Sequence, residues 1–300
     1  MSVLEFFHSL LHALAHAGKE ALVLLPFLYL TYLGLELLER RAGERTQALI
    51  ARSGKAGPLF GALLGALPQC GFSAAGAGLY AGRVITTGTL LSIFLSTSDE
   101  MLPLLISEGT GAGRIFKILA VKAFVGCLAG FAVDGIARLA RRGKATEQTQ
   151  AIGEMCRAGH CDCDSQSLWL ASLVHTLQIA LGVFGVSVVL HTLLELLGEE
   201  ALASFMGNTP LLGCVLAALV GLIPNCTASV VITTLYLRGV LSAGAMLSGL
   251  LVGAGVGLLV LFRVNRPVRD TLRVTGILLL VGAMVGVIFD ALSLGTLLGI

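Results

Sequence analysis

The sequence predicts an all-α polytopic membrane protein of two inverted repeats, each with three spanning helices and one proline-broken re-entrant hairpin, about ten segments in all. Three observations predict it. Of 300 residues, 56% are hydrophobic and 13% charged, with a mean hydropathy of +0.90, whereas soluble domains carry about a quarter charged residues. One pattern occurs twice, 156 residues apart. Pro68-Gln69-Cys70, Ser73, Leu79-Tyr80, Gly88 and Leu91-Ser92 match Pro224-Asn225-Cys226, Ser229, Leu235-Tyr236, Gly244 and Leu247-Ser248. Gly126, Gly130 and Asp134 fall opposite Gly282, Gly286 and Asp290. Finally, the loop charges cannot be reconciled with simple crossings alone.

Crossing a bilayer takes about 20 apolar residues. Eight apolar blocks come near or exceed that length: 20–38, 57–81, 84–107, 114–136, 168–197, 211–237, 240–262 and 273–297. They divide the chain into a first membrane repeat (1–143), a Cys/His-rich linker (144–166) and a second membrane repeat (167–300). The N-terminus lacks the basic stretch of a signal peptide. Glu5, His8, His12 and His16 stand there instead, so the chain is expected to enter the membrane by its own helices. The three histidines share one helical face, which reads as a peripheral helix or as a weak metal site.

The loop from Glu39 to Lys55 carries Arg40, Arg41, Arg45 and Arg52, the central loop opens with Arg138, Arg141, Arg142 and Lys144, and Arg263, Arg266, Arg269 and Arg273 flank a third. All three are cytoplasmic by the positive-inside rule. The loop at 198–208 holds Glu199 and Glu200 without Lys or Arg and belongs outside, as does the N-terminus. Between cytoplasmic residues 57 and 138 the chain crosses an even number of times, yet three apolar blocks intervene. The block at 57–81 resolves the conflict, because Pro68 and Gly71 split it into two half-length arms. Proline breaks the helical ladder and glycine permits the turn. The block at 211–237, split at Pro224, does the same from the opposite face. Arg238 on the outside is a mild misfit.

Unwound backbone at membrane depth is tolerated only against protein or a water-filled cavity. The two tips therefore define a polar spot, with Gln69, Cys70 and Ser73 from one and Asn225, Cys226 and Ser229 from the other. They read as a cation site or as kinks that let helices pack closely. Asp99 and Glu100 sit midway along an otherwise apolar run, where a charge costs about 2.5–3.5 kcal/mol on insertion scales and usually serves function. The alternative is a surface loop whose serines and Asp99 cap the next helix. Lys122, about eight residues into its helix, is a charge partner for Asp99 or Glu100, or faces a neighbouring loop; Lys117 snorkels. His175 reads as a metal or proton ligand, or as a packing hydrogen bond with Gln178. Asp134 and Asp290 read as helix-boundary residues. In the linker, Cys156, His160, Cys161 and Cys163 suit zinc or another soft metal, although the spacing is not that of a zinc finger. Redox chemistry is the alternative.

Several of these motifs resemble the ten-segment heavy-metal exporter family of bacterial membrane proteins, whose members carry arsenic-efflux or manganese-transporter labels. The resemblance rests on Leu67-Pro68-Gln69-Cys70-Gly71-Phe72-Ser73-Ala74, Tyr80-Ala81-Gly82-Arg83, Leu95-Ser96-Thr97-Ser98-Asp99-Glu100-Met101, His175-Thr176 and Ile223-Pro224-Asn225-Cys226, and covers most of the chain. It implies metal export across the bacterial inner membrane. Oxygen donors beside two thiols favour a divalent cation, Mn²⁺ ahead of Fe²⁺ and Zn²⁺, over arsenic. No Walker motif is present, so an ion or proton gradient is the expected drive and no cofactor is required. Arsenic permease and metal sensor through the 156–164 loop remain the alternatives; an enzyme lacks a convincing catalytic pair. Lipid and metal ions are the expected partners, nucleic acid is not at a net charge of +2, and homo-oligomerisation stays open.

Overall fold

The computed structural model describes residues 56–67, 70–98, 101–140, 210–224, 226–265 and 267–299, with isolated helical positions between 14 and 33 and between 169 and 192. Among them every regular element is a helix. The first half contributes α1 (Gly57–Gly65), α2 (Cys70–Ala81), α3 (Thr87–Ser96), α4 (Met101–Ser107) and α5 (Ala112–Ala140). The second contributes α6 (Pro210–Gly221), α7 (Cys226–Leu237), α8 (Ala243–Val252), α9 (Val256–Val264), α10 (Val268–Ala291) and a closing turn, α11 (Leu294–Leu298). Four stretches are long and apolar enough to span a bilayer: Thr87–Ser107, Ala112–Ala140, Ala243–Val264 and Val268–Ala291.

The shift of 156 residues carries through from sequence to coordinates. Helices α2, α3 and α5 start 156 residues before α7, α8 and α10. The buried stripe of α5 is Ile115, Ile118, Lys122, Gly126, Gly130 and Asp134. The matching stripe of α10 includes Thr271, Val274, Leu278, Gly282 and Gly286. Both follow the three- and four-residue steps of one helical face. The opposite faces carry Phe116, Phe124, Leu128 and Phe131 on α5 and Leu272, Leu280, Met284 and Ile288 on α10, all exposed. Large apolar side chains ringing a polar-poor surface are what a hydrocarbon solvent selects.

The interior belongs to the other two spans, and both are broken. Helix α3 stops at Thr97, whose ψ of 128° leaves the helical region, and α4 resumes at Met101. Helix α8 stops at Gly253 and α9 resumes at Val256, after Gly255 at φ 53°. A positive φ of that kind, followed by ψ −138°, is open to glycine and little else. These breaks are an addition to the two expected from the sequence at Pro68 and Pro224, whose turns lie partly outside the described residues. Leu90, Leu91 and Phe94 of α3 share one core with Leu251, Val252 and Val256 of the other half.

The proline-broken pairs lie where the break requires. Gly57 abuts Thr89, Pro58 accepts a 2.5 Å bond from the Ser92 hydroxyl, and Gly65 abuts Ile93 and Ser96, so α1 runs alongside α3 in the same direction. Helix α2 then travels back: its Gly76 lies against Ile93 and its Tyr80 hydroxyl is 3.3 Å from Thr87. Both outer ends of the pair flank the first turn of α3. In the second half the Cys214 carbonyl accepts a 2.8 Å bond from Ser248, the counterpart of the Pro58–Ser92 contact.

Candidate functional site

Two interruptions of backbone, between α3 and α4 and between α8 and α9, lie in the interior. Each leaves carbonyl groups without helical partners, and at the first of them the local sequence adds hydroxyls. In the first half Ser96 bonds the Ser92 carbonyl (2.7 Å) and Thr97 the Ile93 carbonyl (2.8 Å). Ser98 reaches the Ala66 carbonyl at 2.9 Å, tying the α3 break to the end of α1. The α8–α9 break has no hydroxyls of its own and instead packs against both returning arms. A Cβ at Gly253 would lie 3.2 Å from Ser229 Oγ, and one at Gly257 would lie 2.7 Å from the Ser73 backbone.

Lys122 sits at the centre of this set and is 1% exposed. Its ammonium donates to the Thr97 carbonyl at 2.5 Å and to the Leu250 carbonyl at 2.6 Å. One acceptor belongs to each half, and each lies at the end of a broken helix. Of the residues proposed from sequence, Ser73, Ser229 and Lys122 are therefore at the interruptions, with Ser73 fully buried. Cys70 and Cys226 are the first residues of α2 and α7. Gln69, Asp99, Glu100, Asn225 and His175, with Cys156, His160, Cys161 and Cys163 of the linker and the N-terminal histidines, lie outside the described residues. Among the described residues no three His, Cys, Asp or Glu side chains gather as a metal site.

Asp134 and Asp290 hold matching positions, as boundary residues. Asp134 accepts from the Thr86 hydroxyl (2.6 Å) and the Gly88 amide (2.9 Å). Asp290 accepts from the Ser242 hydroxyl (2.5 Å) and the Gly244 amide (2.8 Å). Each carboxylate meets the N-terminus of a neighbouring half-length helix, where backbone N–H groups lack partners and the dipole favours negative charge.

A second polar cluster, invisible in the sequence, joins the halves where α2 ends. Asp270 Oδ2 accepts from Tyr80 (2.8 Å), Arg83 (3.2 Å) and Asn265 (3.2 Å), and Asn265 also donates to Thr271 at 3.0 Å. The Arg83 guanidinium stands 5.6 Å from the centre of the Tyr80 ring. Arg83 adopts φ 59° to close α2, a conformation that costs a residue with a Cβ about 1–2 kcal/mol. Its counterpart Gly239 adopts φ 73° without that cost. The positions matching Asn265 and Asp270 are Gly109 and Arg114, so these two positions supply no matching carboxylate and amide in the first half. Arg114 instead donates to the Gly299 carbonyl at 3.2 Å.

Asp270→Ala removes three hydrogen bonds to a carboxylate, each worth about 1.5–3 kcal/mol in favourable settings. A cysteine placed at Thr87 is expected to react with a maleimide about tenfold faster in that background. Equal rates with and without Asp270 would show that the cluster does not hold the end of α2 against the start of α10.

No family model, curated protein or solved structure matches the chain.

Proposed function

We propose that the chain is a secondary-active transporter that moves a divalent metal cation by alternating access between two inverted repeats, each with a re-entrant hairpin, about ten segments in total. The observation that carries this reading is the pairing of equivalent groups at opposite ends of the molecule. Thr86, Gly88 and Asp134 make one set of bonds, Ser242, Gly244 and Asp290 make the same set 156 residues later, and the backbone breaks lie between them. Helix α2 packs on α9, and its counterpart α7 packs on α4, the counterpart of α9. Such an exchange of arms is what a two-fold axis in the membrane plane produces, and interrupted helices at its centre are the usual ground for a transport site.

On this reading the cargo is held by Asp99 and Glu100, the amides of Gln69 and Asn225, the thiols of Cys70 and Cys226, and the Ser73 and Ser229 hydroxyls, with His175 nearby. The oxygen donors, which outnumber the two thiols, suit Mn²⁺, and the thiols favour the softer Fe²⁺ and Zn²⁺; on that balance Mn²⁺ ranks first. The direction is export across the bacterial inner membrane, and the resemblance to heavy-metal exporters supports that direction. Proteoliposomes are expected to show saturable Mn²⁺ flux that responds to an imposed pH difference. The double variant Asp99→Ala, Glu100→Ala should reduce it at least about tenfold, the loss expected when charged ligands of a buried ion are removed. Full flux in that variant would take both residues out of the mechanism, and no flux of any metal in the unmodified protein would end the reading.

A further inference from the structure

The ends of two broken helices face each other across Lys122. Helix α3 ends at Thr97, and its carbonyl is freed because the helix does not continue. In α8 the Leu250 carbonyl loses its helical donor because Ala254 turns its amide to Val252 instead. A helix C-terminus carries a partial negative charge of about half an electron. Two such ends pointing at one buried point would repel each other and leave oxygens unsatisfied. A cation there resolves both problems, and the one present is the Lys122 ammonium, bonded to both carbonyls and also engaged in a further interaction. The matching position in the second half is Leu278, which is fully buried. The charge is therefore not demanded by the shared architecture of α5 and α10. It belongs to the single point where the two breaks meet.

We propose that the Thr97 and Leu250 carbonyls form a monovalent-cation position, one oxygen from each half, which Lys122 fills as a tethered ion. The position holds the two broken helices together. A small free cation, such as methylammonium, Na⁺ or Li⁺, occupies it when the side chain is shortened, because the oxygens then line a hole about the size of the lost aminoalkyl group.

The test is thermal unfolding of the purified full chain in choline, methylammonium, sodium or lithium chloride. The unmodified protein is expected to unfold at one temperature in all four salts, because its ammonium already fills the position. Lys122→Ala should fall by about 5 °C or more in choline, and regain at least half of the loss in one of the small cations. Lys122→Met fills the space with an apolar chain and should stay low in every salt. A Lys122→Ala protein that survives extraction only when a small cation is present supports the proposal. One that is equally unstable in all salts overturns it, as does an unmodified protein that responds to the salts as strongly. The readout needs no transport, so rescue without metal flux would leave this position standing and remove the transport reading alone.

Discussion

Alanine at position 257 should cost the protein far more than alanine at position 276, although both replace a glycine within a helix of the second half. At Gly257 the added methyl carbon would lie 2.7 Å from the carbonyl carbon, the oxygen and the Cβ of Ser73. Two of those atoms are backbone and cannot rotate away, so α2 and α9 must separate along their contact. Forced overpacking of this sort costs about 1–3 kcal/mol. In a protein of this size that is a fall of roughly 3–10 °C in the unfolding midpoint. At Gly276 nothing lies within 4 Å of the new carbon, and alanine is the better helix former by about 1 kcal/mol. Differential scanning fluorimetry in detergent reads both. If Gly257→Ala unfolds with the Gly276→Ala control, the close approach of α2 to α9 is not a feature of the protein in solution. That approach also brings Ser73 to the α8–α9 break, so on the proposed transport reading metal flux should fall with the same substitution.

Loss of the Asp134 carboxylate should be the most damaging polar substitution away from the centre. Asp134 is 6% exposed and accepts from a hydroxyl and an amide at the start of α3. Asp134→Ala leaves the buried Gly88 amide without its acceptor and takes one partner from the half-buried Thr86 hydroxyl, at about 2–3 kcal/mol. Asp134→Asn keeps one acceptor and should cost less than half as much. The second half supplies an internal control: Asp290 makes the same two bonds, is less buried and also accepts from the Cys214 thiol at 3.4 Å, so Asp290→Ala should destabilise by a similar amount. Urea or thermal unfolding of the two variants measures the comparison. A large loss at one site with none at the other would mean that the geometric match between halves is not an energetic one.

Much of this was legible in the residues. The 156-residue shift, the splits at Pro68 and Pro224, the depth of Lys122 and the paired aspartates all appear as short patterns. Proline, glycine and charge have fixed local consequences in an apolar run. The breaks within 87–107 and 243–264 were not readable in the same way. Thr97-Ser98 and Gly253-Ala254-Gly255 contain no proline; the polar run from Ser96 to Glu100 allowed a loop that caps the next helix as one alternative, and the glycines at 253 and 255 carried no such sign. They exist because distant groups, Lys122 above all, meet the carbonyls that the breaks release. The Tyr80–Arg83–Asp270–Asn265 cluster was hidden for the same reason. Its members are about 190 residues apart, and no spacing rule links a residue at the end of one arm to a loop in the other half.

The exchange of arms between halves has a consequence for how the chain is made. Helix α2 finds its long partner, α9, only after the ribosome has added everything from Ala81 to Val256. At translation rates of about 5–20 residues per second that interval is roughly 10–35 s. Throughout it, the first half sits in the bilayer with Ser73 uncovered and with the Lys122 ammonium short of its Leu250 acceptor. A nascent chain in that condition is a natural target for membrane proteases and insertion chaperones. Biogenesis, and not only the finished fold, therefore constrains how slowly or how far apart the two halves can be encoded.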